Sequence, residues 1–340
     1  MMQSIQAPKR VVLSYPFGGT AADFGKACVA ALEELGCAVF PFDSSRNESS
    51  LRILGLLKTT RHLMRLQAPP RVEGGSKHDA LEASVSSARP HVLLILRGDS
   101  YAHDFIRYLK EQYRIPHVVC WWIEGPKWQD LMLQEAQIYD AYYCIHRDGY
   151  PPESGIRYLP AVSTIDNALL RSENRACKRD ITFIGKWKPR RQNYLESIAD
   201  LDVSIYGPKW LAKNLTNPSM LRHVKGSRIH GHAVTRAYAH SKIGLDVPSW
   251  DISTSLTLRI ADIPASGCFL LTQDSPSLRE YFEVGKHIDV FATPEELSDK
   301  ARFYLTHETT RESMAAAAFV RAKSLPTLAQ RLRKLLEPII

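Results

Sequence analysis

The chain opens on a pattern that few architectures can use. "VVLSYPFGGTAADFGKACVAALEELGCAVFPFD" spans residues 11–43. It reads as a β-rich run, a turn at Gly18 and Gly19, a stretch with helical apolar spacing ending at Gly36, and a second β-rich run. Pro41 marks that second run as a strand end or a sheet edge. A strand–helix–strand unit this short implies parallel strands joined by a right-handed crossover.

The alternation resumes further on. "HVLLIL" (91–96), "HVVCWWI" (117–123) and "AYYCIH" (141–146) are predicted strands, with "SYAHDFIRYLKEQY" and "WQDLMLQEAQIYD" as helices between them. A second alternating set begins at "DITFIGK" (180–186). It runs through the strands "VSIYG", "KIGLDV", "CFLLTQ" and "HIDVF", with helices between, "SLREYF" among them. Helices over "TPEELSDKARFYLTH", "RESMAAAAFVRAKSL" and "TLAQRLRKLLEPII" close the chain.

The expected fold class is therefore α/β, with two Rossmann-like domains in tandem. The expected boundaries are 1–165 and 175–325, with a last helix over 326–340 crossing back to the first domain. Ligands in open α/β sheets bind beyond the carboxyl ends of the strands, so two such domains are expected to face each other across a ligand cleft.

Composition narrows the functional classes. A chain of 340 residues is too long for one ordinary core, and 44% hydrophobic with 24% charged residues is a globular balance. No apolar run approaches the roughly 20 residues of a membrane span. "MMQSIQAPKR" lacks the apolar core of a signal peptide. Six cysteines without a C-x-x-C pair fit reduced thiols, and a cytoplasmic location is expected.

The net charge of +8 suits an anionic ligand, an acidic membrane surface or nucleic acid. No nucleic-acid-binding signature is present, so nucleic acid is not an expected partner. Neither G-x-G-x-x-G nor G-x-x-x-x-G-K-[ST] occurs, which argues against dehydrogenases and P-loop kinases. "SLRILGLLKTTRHLMRLQ" (50–67) is a basic amphipathic helix candidate. It suits either packing on the sheet with its basic side in water or peripheral contact with anionic membrane.

Two stretches could carry chemistry. In "FIGKWKPRRQNYL" (183–195) a strand ends at Gly185, and Lys186, Lys188, Arg190 and Arg191 crowd the start of a helix. Cations there oppose the helix dipole unless an anion sits among them. The turn thus reads as a diphosphate clamp or as a solvated basic turn.

In "STSLTLRIADIPASG" (253–267) Arg259 and Asp262 lie three apart, on one helix face. They form either a surface ion pair or a nucleotide site. In the second case Asp262 accepts from ribose hydroxyls, Arg259 meets phosphate or orients the carboxylate, and Gly267 ends the helix. On the other domain, "WWIEGP" puts Glu124 at a strand's carboxyl end beside apolar rings, where a raised pKa suits a general base. A helix-capping or salt-bridge role is the other reading. Asp99 and His103 are further candidates, and the Gly18–Gly19 loop faces the same expected cleft. His223, His230, His232 and His240 lack the cysteine or acidic partners of a metal site, so no metal is expected.

The motifs "FIGKWKPRR", "IYGPKW", "YAHSKIGLDV", "RIADIPASGCFLLT", "LREYFEVG" and "FATPEEL" follow one another over about 180–320. In this order they resemble the C-terminal domain of CgeB-like, spore-maturation-type glycosyltransferases of the GT-B fold. The first half resembles the family more loosely, through "RGD", "WWIEGP" and "YDAYYCIHRDG".

The resemblance implies a sugar transfer from a nucleotide-diphosphate sugar to a hydroxyl acceptor (glycan, lipid-linked or protein), without a bound metal or cofactor. It places Asp262 where the family has a ribose-binding glutamate, one methylene longer, and Thr254 where related retaining enzymes have a second glutamate. It matches Lys186 with Arg190 or Arg191 to the diphosphate cations, and Tyr206 falls in the family's "Y-G-x-x-W". Two other functions fit the same scaffold: a non-catalytic nucleotide- or glycan-binding protein, and a sugar-nucleotide epimerase.

Overall fold

The structure, a computed structural model, describes residues 8–17, 22–45, 75–97, 101–123, 129–147, 149–160, 163, 179–249 and 256–337. They fall into two compact units. One comprises 1–145, 149–159 and 329–340, and the other 146–148 and 160–328.

The first unit holds β1 (Arg10–Tyr15), α1 (Ala22–Glu34), β2 (Ala38–Asp43), α2 (Gly75–Ala88), β3 (Val92–Leu96), α3 (His103–Gln112), β4 (His117–Trp122), α4 (Gln129–Ala136), β5 (Ala141–Cys144) and β6 (Ile156–Tyr158). All neighbouring strands are parallel, in the order β2-β1-β3-β4-β5-β6. β3 is buried at every position, as expected of a strand covered on both faces. β2 is half-exposed and, among the described residues, pairs only with β1, so Pro41 sits on an edge as its missing N–H requires. Trp121, Trp122 and Tyr142 fill the core. Trp121 donates its indole N–H to the Leu159 carbonyl at 2.9 Å.

The second unit holds β7 (Arg179–Ile184), α5 (Pro189–Glu196), β8 (Val203–Tyr206), α6 (Trp210–Lys213), α7 (Pro218–Leu221), β9 (Val224–Gly226), α8 (His232–Ala239), β10 (Ser241–Asp246), α9 (Arg259–Ala265), β11 (Phe269–Gln273), β12 (Asp289–Phe291), α10 (Pro294–Thr306) and α11 (Glu308–Ser324). Its parallel sheet runs β9-β8-β7-β10-β11-β12. Counted within the unit, this is the Rossmann order 3-2-1-4-5-6, and the order reverses between β7 and β10. Pro189 occupies the first turn of α5, where its missing N–H costs nothing. Thr293 caps α10 by accepting from the Glu296 N–H.

Gly244 lies in β10 under α9. A Cβ there would come within 2.5 Å of the Ile263 side chain, so the missing side chain lets α9 approach the strand. The last helix, α12 (Leu328–Leu336), falls from Ala329 onward in the first unit, where the Leu335 carbonyl accepts from the Tyr143 hydroxyl at 3.3 Å.

The tandem parallel α/β architecture agrees with the sequence reading, with local differences. β6 and β9 are strands of three residues within segments expected to be a lead-out and a loop. "SLREYF" forms a 3-10 turn over Pro276–Glu280 instead of an α-helix. α9 begins at Arg259 itself, later than expected. The basic stretch 50–67 lies outside the described residues. Among the described residues no helix is long and apolar enough to cross a membrane.

Candidate functional site

Three consecutive residues at the carboxyl end of β10 each hold an arginine. Asp246 accepts from Arg259 Nε at 2.7 Å, the Val247 carbonyl from Arg191 Nε at 2.7 Å, and the Pro248 carbonyl from Arg190 Nη1 at 3.1 Å. Arg191 also reaches across to β7, donating Nη1 to the Lys186 carbonyl at 2.9 Å. Arg190 also bonds the Gln273 side chain at the end of β11 and lies over the Tyr194 ring. The cluster therefore stands at the switch point between β7 and β10, where open α/β sheets bind ligands.

The charges there do not balance. Asp246 is fully buried and accepts from Thr257 at 2.7 Å as well as from Arg259. Among the described residues it is the one carboxylate that bonds any of the three guanidinium groups, and it bonds Arg259 alone. Arg190 and Arg191 bond only neutral acceptors there. Arg191 is 4% exposed. Burial first, and then the charge of Arg259, draw its pKa down to about 9, so it stays protonated near neutrality. For Arg259, burial is the largest single influence and pulls downward, but Asp246, Tyr238 and Asp262 together outweigh it and the net shift is upward. Buried excess positive charge is costly unless a counter-charge arrives, and an anionic group fits here.

The turn after β7 is fixed by two glycines. The Gly185 N–H donates to the Tyr206 carbonyl at 2.8 Å, and its carbonyl accepts from the Trp210 indole at 2.7 Å. Gly207 has φ +155°, and a Cβ on it would stand 2.0 Å from the Gly185 oxygen. This backbone crossing sets where Lys186 begins. Lys186 itself is exposed.

Arg259 and Asp262 do not form the ion pair that their spacing suggests. Arg259 is the first residue of α9, and its side chain reaches back to Asp246. Helical side chains lean toward the N-terminus, so a first-turn residue points past the helix start. Asp262 accepts from the Ser163 hydroxyl at 2.8 Å, and its charge still acts on Arg259. Gly267 ends the helix at φ +78°, a turn that suits glycine. Tyr206 stands one strand further out, with its ring against Gly226.

Asp246 is the residue of this candidate site that sequence reasoning missed. The available signal was an acidic residue closing the otherwise apolar strand "KIGLDV". Tyr238 was missed as well. It is fully buried, its hydroxyl has no hydrogen-bond partner among the described residues, and Arg259, Asp246 and Asp262 all act on it electrostatically.

On the first unit, Gly18, Gly19, Asp99 and Glu124 lie outside the described residues. His103 opens α3, after β3, and so stands at the carboxyl end of that sheet. Its Nε2 is 4.0 Å from Oε1 of Glu135, which is 1% exposed and accepts from the Tyr142 hydroxyl at 3.1 Å. A buried carboxylate thus lies beside a half-exposed imidazole, too far for a direct hydrogen bond. Glu135 also went unnoticed in the sequence, as one acid on an ordinary helix. Among the described residues no three His, Cys, Asp or Glu side chains converge as metal ligands.

Comparison with solved structures decides the fold. A sucrose-phosphate synthase from Thermosynechococcus elongatus superposes with TM-score 0.65 at 12% identity, covering 97% of this chain and 99% of that one. Anabaena HepE, solved in complex with UDP-glucose, gives TM-score 0.66 at 12% identity over 97% and 99%. A glycosyltransferase from Rickettsia africae gives 0.64 at 12% over 98% of each chain. The fold is GT-B. Residues 190–337 match the family model described as glycosyl transferase-like. The GT-B region so matched contains Arg190, Arg191, Asp246, Arg259 and Asp262. No curated protein sequence matches the chain.

Proposed function

We propose that this GT-B protein is a glycosyltransferase that moves a sugar from a nucleotide-diphosphate sugar to a hydroxyl acceptor. The observation that carries the reading is the arginine cluster at the β7–β10 switch point, inside the glycosyl transferase-like stretch. In this reading Arg190, Arg191 and Lys186 neutralise the diphosphate, and Arg259 is held by Asp246 close by. Guanidinium donors fixed before the reaction stabilise the charge that grows on the leaving diphosphate, with no reorganisation at the transition state. Transfer of this kind needs no bound metal, because the arginines supply the positive charge.

Asp262 binds the ribose in this reading. Its carboxylate already accepts a hydroxyl, that of Ser163, which is the chemistry a vicinal diol offers. The acceptor side belongs to the first unit, with Glu124, Asp99 and His103 as proposed bases; the Glu135–His103 contact favours His103. The finer CgeB-like membership rests on the ordered motifs between residues 180 and 320.

Asp262→Ala tests the ribose assignment. Wild type should bind UDP about tenfold more tightly than 2′-deoxy-UDP, a difference of one charge-assisted hydrogen bond. The variant should lose that preference while keeping its melting temperature without ligand. Titration calorimetry of both nucleotides against both proteins reads this out. An unchanged preference in the variant removes Asp262 from the site.

A further inference from the structure

The second unit carries an uneven charge distribution outside the arginine cluster. Between Asp202 and Asp246 the chain has no acidic residue, while seven lysines and arginines fall in that interval. Lys242 pairs with Asp180. The other six, Lys209, Lys213, Arg222, Lys225, Arg228 and Arg236, are exposed. Most of the protein's net charge of +8 thus arises from one stretch that includes the edge strand β9.

The same stretch exposes apolar surface. Leu211 is 59% and Leu215 65% exposed, four residues apart on the turn that holds α6. The turn is rigidly anchored. Trp210 is fully buried and bonded to the Gly185 carbonyl, and Asn214 is fully buried with its amide donating to the Trp210 carbonyl at 2.9 Å. Trp210 and Asn214 face inward at the same i, i+4 spacing at which Leu211 and Leu215 face outward. Lys209 and Lys213 flank the leucines, and Lys213 lies over the Trp187 ring with its ammonium 5.3 Å from the ring centre.

We propose that this edge of the second unit docks on an anionic lipid surface. Leu211 and Leu215 would enter the boundary between headgroups and acyl chains, while Lys209, Lys213 and Arg228 meet lipid phosphates. Charge decides between a membrane and a protein partner. A protein burying the two leucines must also desolvate or pair the adjoining lysines, whereas a bilayer takes the apolar tips and leaves each ammonium among headgroups. The proposal uses none of the residues of the basic stretch 50–67, and it stands whether or not the transferase reading does.

Sedimentation of the full chain with vesicles tests it. Wild type should pellet with phosphatidylcholine vesicles containing phosphatidylglycerol at low salt. It should stay in solution with phosphatidylcholine alone, or at high salt. Leu211→Ser with Leu215→Ser should lower the partition coefficient about tenfold, since two apolar contacts are lost. Lys209→Glu with Lys213→Glu should weaken binding and flatten its salt dependence. Unchanged melting temperatures show that these surface variants remain folded. Absence of anionic-vesicle binding overturns the proposal, as does binding that neither double variant alters. Equal binding of a soluble acidic polymer, insensitive to the leucine variant, also overturns it and marks the edge as a polyanion site.

Discussion

Asp246→Ala should destabilise the second unit by about 3 kcal/mol, the lower end of the cost of breaking a buried ion pair. The substitution leaves Arg259 without its carboxylate and strips Thr257 of its acceptor. It also leaves three guanidinium groups together with no bonded counter-charge. The cost stays at the lower end because the Arg259 side chain keeps 22% exposure and can turn toward water. For a unit of this size the loss corresponds to about 6–12 °C in melting temperature. Asp246→Asn, which keeps the shape and one acceptor oxygen but exchanges the other for an uncharged NH2, should recover part of the loss through the Thr257 hydrogen bond. A melting temperature within 2 °C of wild type, as an order-of-magnitude bound on a surface substitution, would show that Asp246 does not organise the cluster.

The second large effect concerns the ligand. Arg190→Ala should weaken binding of a nucleoside diphosphate by about 10–100-fold, the equivalent of one or two charged hydrogen bonds. Stability should change little, because Arg190 is only partly buried and both its partners, the Pro248 carbonyl and the half-buried Gln273 side chain, are uncharged. Arg190→Lys should recover part of the affinity, through its charge, but not all of it, because the planar fork is lost. Arg191→Lys should be worse tolerated in stability. The Arg191 side chain ties the Val247 carbonyl to the Lys186 carbonyl and so joins the two strands that bound the switch point. Calorimetric titration separates the two outcomes. Equal affinities for wild type and Arg190→Ala would move the diphosphate elsewhere.

The architecture was legible because buried parallel strands leave an unmistakable trace. "VLLIL" and "FLLTQ" are short, apolar and β-rich, and helical spacing separates them from their neighbours. Gly267 and Gly36 were readable for the same kind of reason, since both adopt positive φ at turns. β6 and β9 escaped because three residues cannot display a period.

At the site, local spacing misled. Residues three apart on a helix suggest partners, and Arg259 with Asp262 met that rule. The helix, however, starts at Arg259, so the arginine has no preceding turn to lie on and pairs with a strand end 13 residues back. Nothing in the spacing announces that Asp246, Val247 and Pro248 would each face an arginine. That is a product of sheet order, which brings the ends of β7 and β10 side by side. The clustering of Lys186, Lys188, Arg190 and Arg191 at a helix start after a strand was readable, and such cations favour an anion.

The central claim is that this cluster recognises the diphosphate of a nucleotide-sugar donor. The most direct measurement is the melting temperature of the purified chain with UDP, GDP and dTDP, their sugar conjugates, and the matching nucleoside monophosphates. A ligand that binds the folded state raises the transition by mass action. The account predicts a rise with one diphosphate and its sugar conjugate that clearly exceeds the rise with the monophosphate, and that Arg190→Ala abolishes the difference. Equal shifts with monophosphate and diphosphate, or no shift with any of them, would contradict it.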